Sequence, residues 1–185
     1  MKNKSFFLFI LVFFFINCSN NNHAPVPRAY FKFHFPEKQY EKVNFEDNFL
    51  FEKPLYSHFS YKSKRSFDLE FKKFNATLHF SYYPLQNNLS EHIHYSEYLA
   101  YQHDFVADAI SEKIYTNNKK KVFGLLYNYD GATATSTQFY LTDSINHFVR
   151  GALYFNFEVT DSIYPINKFL YDDVRYIIES FAWTN

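Results

Sequence analysis

Cys18 is the only cysteine in the 185-residue chain, and it stands where a covalent reaction has a reason to occur. Lys2 and Lys4 precede an unbroken apolar run from Phe6 to Ile16, and Asn17-Cys18-Ser19 follows at once. A basic start, a short apolar core and a cysteine at the junction describe a secretory signal whose removal frees that cysteine for acylation. The run is shorter than the roughly 20 residues that a membrane-spanning helix needs. Acylation also removes a free thiol, which is a liability in an oxidising compartment. The assignment is residues 1–17 as lipoprotein signal peptide, Cys18 as lipid attachment site, 18–27 as flexible tether and 28–185 as one domain. Phe15-Ile16-Asn17 departs from the usual Leu followed by small residues, so an ordinary signal with a chance cysteine is the competing reading.

The other reactive side chains do not assemble into a catalytic set. His92, His94 and His103 share a predicted helix, yet helical zinc ligands need i, i+4 spacing, which none of these pairs has. Ser136 lies in Ala-Thr-Ala-Thr-Ser-Thr-Gln, without the glycines of a nucleophile elbow. Asp172 and Asp173 are consecutive on a helix and do not converge, so they read as an acidic outer face. His103 and Asp104 are adjacent and cannot share one site. No catalytic residue, metal or cofactor is assigned, and the expected protein is not an enzyme. Thr135, Thr137, Asp143, His147 and Arg150 form a polar constellation on a strand and its turn. The threonines read as a solvent face and the whole as a surface for docking a partner.

Composition narrows the classes further. Nineteen basic and nineteen acidic residues balance, leaving no basic footprint for nucleic acid. Three glycines exclude glycine-rich phosphate loops. Twenty-five Phe and seventeen Tyr are a large aromatic load. They favour half-buried strands. They also support an alternative function, a periplasmic ligand-binding or chaperone-like module with an aromatic pocket. The polar tether lacks an acidic export run, which favours a periplasm-facing position.

Elements must position these groups. Alternation predicts strands over Arg28–Pro36, Phe49–Glu52, Tyr56–Tyr61, Phe67–Phe71 and Ala76–Tyr83, with Asn75 in a turn. A helix capped by Asn88 or Ser90 is expected to run to about Asp104, with Leu89, Ile93, Tyr98, Leu99 and Phe105 as its apolar stripe. Strands follow at Asp108–Thr116, Val122–Tyr129, Ala132–Thr142 and His147–Phe157, with turns at Asp130-Gly131 and Asp143–Asn146. A second helix runs from Tyr164-Pro165 to about Phe181. Ile166, Phe169, Leu170, Val174, Ile177, Ile178 and Phe181 repeat along it at three and four residues. The expected fold is α+β, an antiparallel sheet covered by two main helices.

Several strings carry a resemblance: Pro-Arg-Ala-Tyr-Phe from Pro27, Phe-Asn-Ala-Thr-Leu-His-Phe-Ser-Tyr from Phe74, Leu-Ala-Tyr-Gln-His from Leu99, and Asp143 to Phe155 with its Arg150-Gly151-Ala152-Leu153-Tyr154-Phe155 core. The chain resembles the gliding motility lipoprotein GldD family of Bacteroidota from about Pro25 to Trp183. The resemblance implies a membrane-anchored cell-envelope lipoprotein of the gliding and type IX secretion apparatus. It implies other lipoproteins of that apparatus, GldB, GldH, GldJ and GldK, as partners. It implies no catalytic residue.

Overall fold

The computed structural model describes residues 33–102, 107–131, 133, 135–157 and 163–184. The signal peptide, Cys18, the tether, His103, Asp104, Phe105 and Ala132 lie outside the described residues. The α+β expectation holds, with far more sheet than helix. Ten strands form two antiparallel sheets and two helices flank them, among the described residues.

The smaller sheet has β1 (Tyr40–Phe45), β2 (Phe49–Pro54) and β10 (Ala182–Trp183) in the order β1-β2-β10. The larger sheet has β3 (His58–Ser63), β4 (Ser66–Phe71), β5 (Ala76–Pro84), β6 (Ala109–Asn117), β7 (Val122–Asp130), β8 (Thr135–Thr142) and β9 (His147–Phe155). Its order is β3-β4-β5-β9-β8-β7-β6, so β6 and β3 are its edges. Helix α1 (Leu89–Tyr101) packs on β8 and β9, whereas α2 (Tyr164–Ser180) packs on β2 and β8.

Strand alternation builds the main core. Phe67, Leu69 and Phe71 of β4 and Leu78 and Phe80 of β5 point to one face, where Phe49, Phe51 and the apolar stripe of α2 meet them. Phe67 stacks on Phe80 at 4.4 Å between ring centroids, and Phe51 on Phe67 at 5.6 Å. Each fully buried ring contributes on the order of 2–3 kcal/mol from burial. The aromatics of the main core fill it against one another. Gly151 sits where a Cβ would come within 2.3 Å of the Phe139 ring, so only glycine lets that ring lie flat on β9. On the opposite face Ala100 of α1 packs with Tyr127 and Tyr129, and Tyr129 donates to the Ala100 carbonyl at 3.0 Å. Ser96 and Ala100 are the buried positions of α1, and their small size lets the helix approach the sheet.

Three element expectations change. Residues 33–39 are not a strand; they run as a strap along α2, and the first strand begins at Tyr40. Tyr98 is not in the packed stripe of α1 but is 59% exposed. Asn88 occupies the N-cap position, yet its Oδ1 accepts from the Gln86 N–H at 2.8 Å, outside the helix. Neither β1 nor β10 has a counterpart among the expected strands, and β10, two residues after a helix, carries no period.

Candidate partner-docking surface

The polar constellation expected to dock a partner is placed by β8, β9 and the turn between them. Asp143 holds that turn. Its Oδ1 accepts from the N–H groups of Ile145, Asn146 and His147 at 3.0, 2.8 and 2.8 Å. Partial burial opposes ionisation, but those three donors outweigh it and hold the carboxyl below its ordinary range. Arg150 donates to the Gln138 side-chain carbonyl and is half-buried.

The remaining members do not reach a surface. Thr135 and Thr137 are fully buried, because β8 is interior to the sheet and both its neighbours are hydrogen-bonded. A bulge at Ser136 breaks the alternation, so Thr135, Ser136 and Thr137 are all buried. The Thr135 hydroxyl turns back to the Leu153 carbonyl at 2.8 Å. His147 is buried too, with Nδ1 2.9 Å from the Tyr82 hydroxyl and its ring stacked on Trp183 at 5.0 Å. The solvent-face reading of the threonines is therefore corrected, and Thr135, Thr137 and His147 present nothing to a partner. Of the helical histidines, His92 stacks on Phe148 at 5.2 Å while His94 is exposed beside Glu97 at 3.5 Å.

A second correction concerns Asp173, which is fully buried rather than part of an acidic outer face. Lys38 Nζ and the Tyr40 hydroxyl each donate to its Oδ1 at 3.0 Å, and the Tyr56 hydroxyl donates to Oδ2. Burial pushes the Asp173 carboxyl up, against the pull of Tyr56, Lys38 and Tyr40. Burial, with the carboxylate beside them, likewise raises both phenols. Around this knot Phe35 stacks on Phe169 at 4.5 Å and Tyr40 on Tyr176 at 3.8 Å. Phe169, Asp173, Tyr176 and Ser180, spaced by four, three and four residues, make a single seam along α2. It clasps the strap and, through Glu52, the small sheet.

The exposed surface with binding character lies elsewhere. Tyr95, Tyr98 and Tyr101 crowd the outer side of α1, at 56%, 59% and 47% exposed. Tyr101 donates to Glu112 of β6, which fixes the helix beside the sheet edge. On that edge Ile114 is 77% exposed. β6 pairs with β7 in unbroken register from Ala109↔Asp130 to Asn117↔Val122, and no described strand pairs with its other side. The opposite edge, β3, is interrupted by a register shift between Tyr61 and Ser63. In the sequence Tyr98 falls in the expected apolar stripe of the helix, and nothing there singles out this surface. A separate open groove of about 380 Å³ lies on the outer face of β4 and β5. Asp68, Glu70, Lys72, Thr77 and His79 line it, and His79 Nδ1 is 2.7 Å from Asp68.

No curated protein matches the sequence. No helix among the described residues is long and apolar enough to cross a membrane. The sequence model of a family described as gliding motility lipoprotein GldD matches residues 20–183, which is nearly the whole chain. The chain belongs to the GldD family of gliding motility lipoproteins.

Proposed function

We propose that this protein is a non-enzymatic accessory or assembly component of the gliding and type IX secretion apparatus. It is held at the membrane by a lipid on Cys18, faces the periplasm, and docks another lipoprotein of that apparatus. The observation that carries the docking is the exposed tyrosine face of α1 beside the edge of β6 that no described strand pairs. A free edge offers a row of backbone N–H and C=O groups, so its natural occupant is an extended segment of the partner. Tyr98 and Ile114 supply the apolar anchors such a contact needs. The test is a Tyr98→Ser, Ile114→Lys double variant. Spreading lost with the protein still folded and abundant supports the reading; undiminished spreading overturns it. The polar groove on β4 and β5 favours ligand binding as a second reading, with a hydrophilic ligand rather than one held by aromatics. Native mass spectrometry of the purified protein tests that reading by a bound small molecule.

A further inference from the structure

We infer that one pole of the domain, carrying Phe35, Phe157, Tyr164, Lys72 and Lys73, rests directly on the bilayer surface. This rests on the reading of Cys18 as the lipid anchor. The chain joins the domain at this pole. Phe35 stacks on Phe169, and Lys73 Nζ donates to the His34 carbonyl at 2.6 Å. Asn75, next to these lysines, receives the Asn156 N–H at 2.9 Å, which brings Phe157 to the same end. Helix α2 begins there as well. Phe169 packs on Phe74 at 5.5 Å, and Tyr164 lies one turn further out.

The side chains at this pole suit a lipid headgroup layer. Phe35 and Phe157 are each 37% exposed and Tyr164 is 54% exposed. Isolated exposed aromatics are ordinary, but three of them beside two lysines at the anchored end are not random in position. Aromatic rings seat at the boundary of headgroup and acyl chain, while lysines reach anionic headgroups. Lys72 is 74% exposed with Glu70 no nearer than 3.9 Å, and Lys73 gives one bond to the His34 carbonyl, so Lys72 is the more available cation. Phe33, the first described residue, is fifteen residues beyond Cys18, which bounds its distance from the anchor at roughly 50 Å. That reach permits contact without enforcing it, so the surface itself must favour it. The lipid on Cys18 holds the protein at the bilayer, and a contact of this kind sets how the domain sits on it.

The molecule contains its own ruler. Trp183 is the only tryptophan, and it stacks on His147. His147 pairs with Pro84 at one end of β5, whereas Phe155 pairs with Ala76 at the other. A nine-residue strand separates these ends by about 27 Å. The experiment uses the mature protein purified from the membranes of cells that express the whole chain, with and without Phe157→Trp, in phosphatidylethanolamine/phosphatidylglycerol vesicles brominated near the top of the acyl chains. The inference predicts that emission from the introduced indole is quenched roughly twofold, with Trp183 unaffected. Lys72→Glu with Lys73→Glu, added to the Phe157→Trp variant, should reduce the quenching. Vesicle-bound protein in which neither indole is quenched, or both are equally, overturns the pole assignment alone. Protein that does not co-sediment with vesicles overturns the anchor reading and this inference together. Trp183, whose indole donates to the Lys121 carbonyl at 2.9 Å and stacks on His147, reports through its emission that each variant is folded.

Discussion

The Tyr56 hydroxyl, from the connection between β2 and β3, donates directly to the buried carboxylate of Asp173 on α2. With Lys38 and Tyr40 on the other oxygen, this bond joins the strap, the small sheet and the last helix through one side chain. The segment that follows the tether is thereby locked to a helix whose other face is core.

Replacing Asp173 by Ala is expected to lower stability by about 3 kcal/mol, since it leaves two half-buried hydroxyls and an ammonium without their acceptor. Lys38 is 31% exposed and can turn to water, which limits the loss. Asp172→Ala, at an exposed neighbouring position, should fall within about 0.5 kcal/mol of the parent. Urea midpoints of the two variants check the contrast, and equal losses would contradict the assignment.

Asp143 sets a pH dependence whose sign is fixed. Its folded carboxyl titrates below the unfolded value, so its contribution is fully present above the unfolded pKa of about 4. It is lost as pH falls through the lowered folded value. Asp143→Ala should therefore cost about 1 kcal/mol at neutral pH, with the difference from the parent vanishing in acid. Denaturation at a series of pH values measures it; a difference that grows on acidification would reverse the sign.

Gly151→Ala should destabilise by about 2–3 kcal/mol, because its Cβ meets the Phe139 ring inside a packed core. Pairing it with Phe139→Leu should recover part of the loss by removing the obstructing ring edge. Calorimetry of the single and double variants decides whether that contact is the cause.

Cys18→Ala should release the protein from the membrane fraction while leaving the domain folded, since residues 33 onward form their core without it. Fractionation followed by circular dichroism checks both halves.

The parts of the fold that were legible in the sequence are those with a sustained period. The stripe Ile166, Leu170, Val174, Ile177 and Ile178 predicted α2, and the alternation of Phe67, Leu69 and Phe71 predicted β4. The misses have physical causes. Asp173 looked solvent-facing because a charge on a helix is exposed unless partners sit opposite, and Lys38, Tyr40 and Tyr56 are over a hundred residues away. Thr135 and Thr137 looked exposed because the bulge at Ser136 hid the register; the Thr135 hydroxyl is satisfied by the Leu153 carbonyl and costs little to bury, whereas the Thr137 hydroxyl is buried without a hydrogen-bond partner among the described residues. Asp143 was legible as a turn holder, since an aspartate opening a four-residue turn has nearby N–H groups to accept from. Ile114 was not legible as a surface residue, because strand order decides which strand is an edge.

The central claim is that the α1 and β6 surface meets a partner in the envelope. The most direct measurement places a photo-crosslinking amino acid at Ile114 in living cells, with the same probe at exposed Lys62 of β3 as control. The account predicts a discrete adduct from Ile114 to another gliding or secretion lipoprotein, weakened by Tyr98→Ser and absent from Lys62. No adduct from Ile114, or the same adducts from both positions, would contradict it.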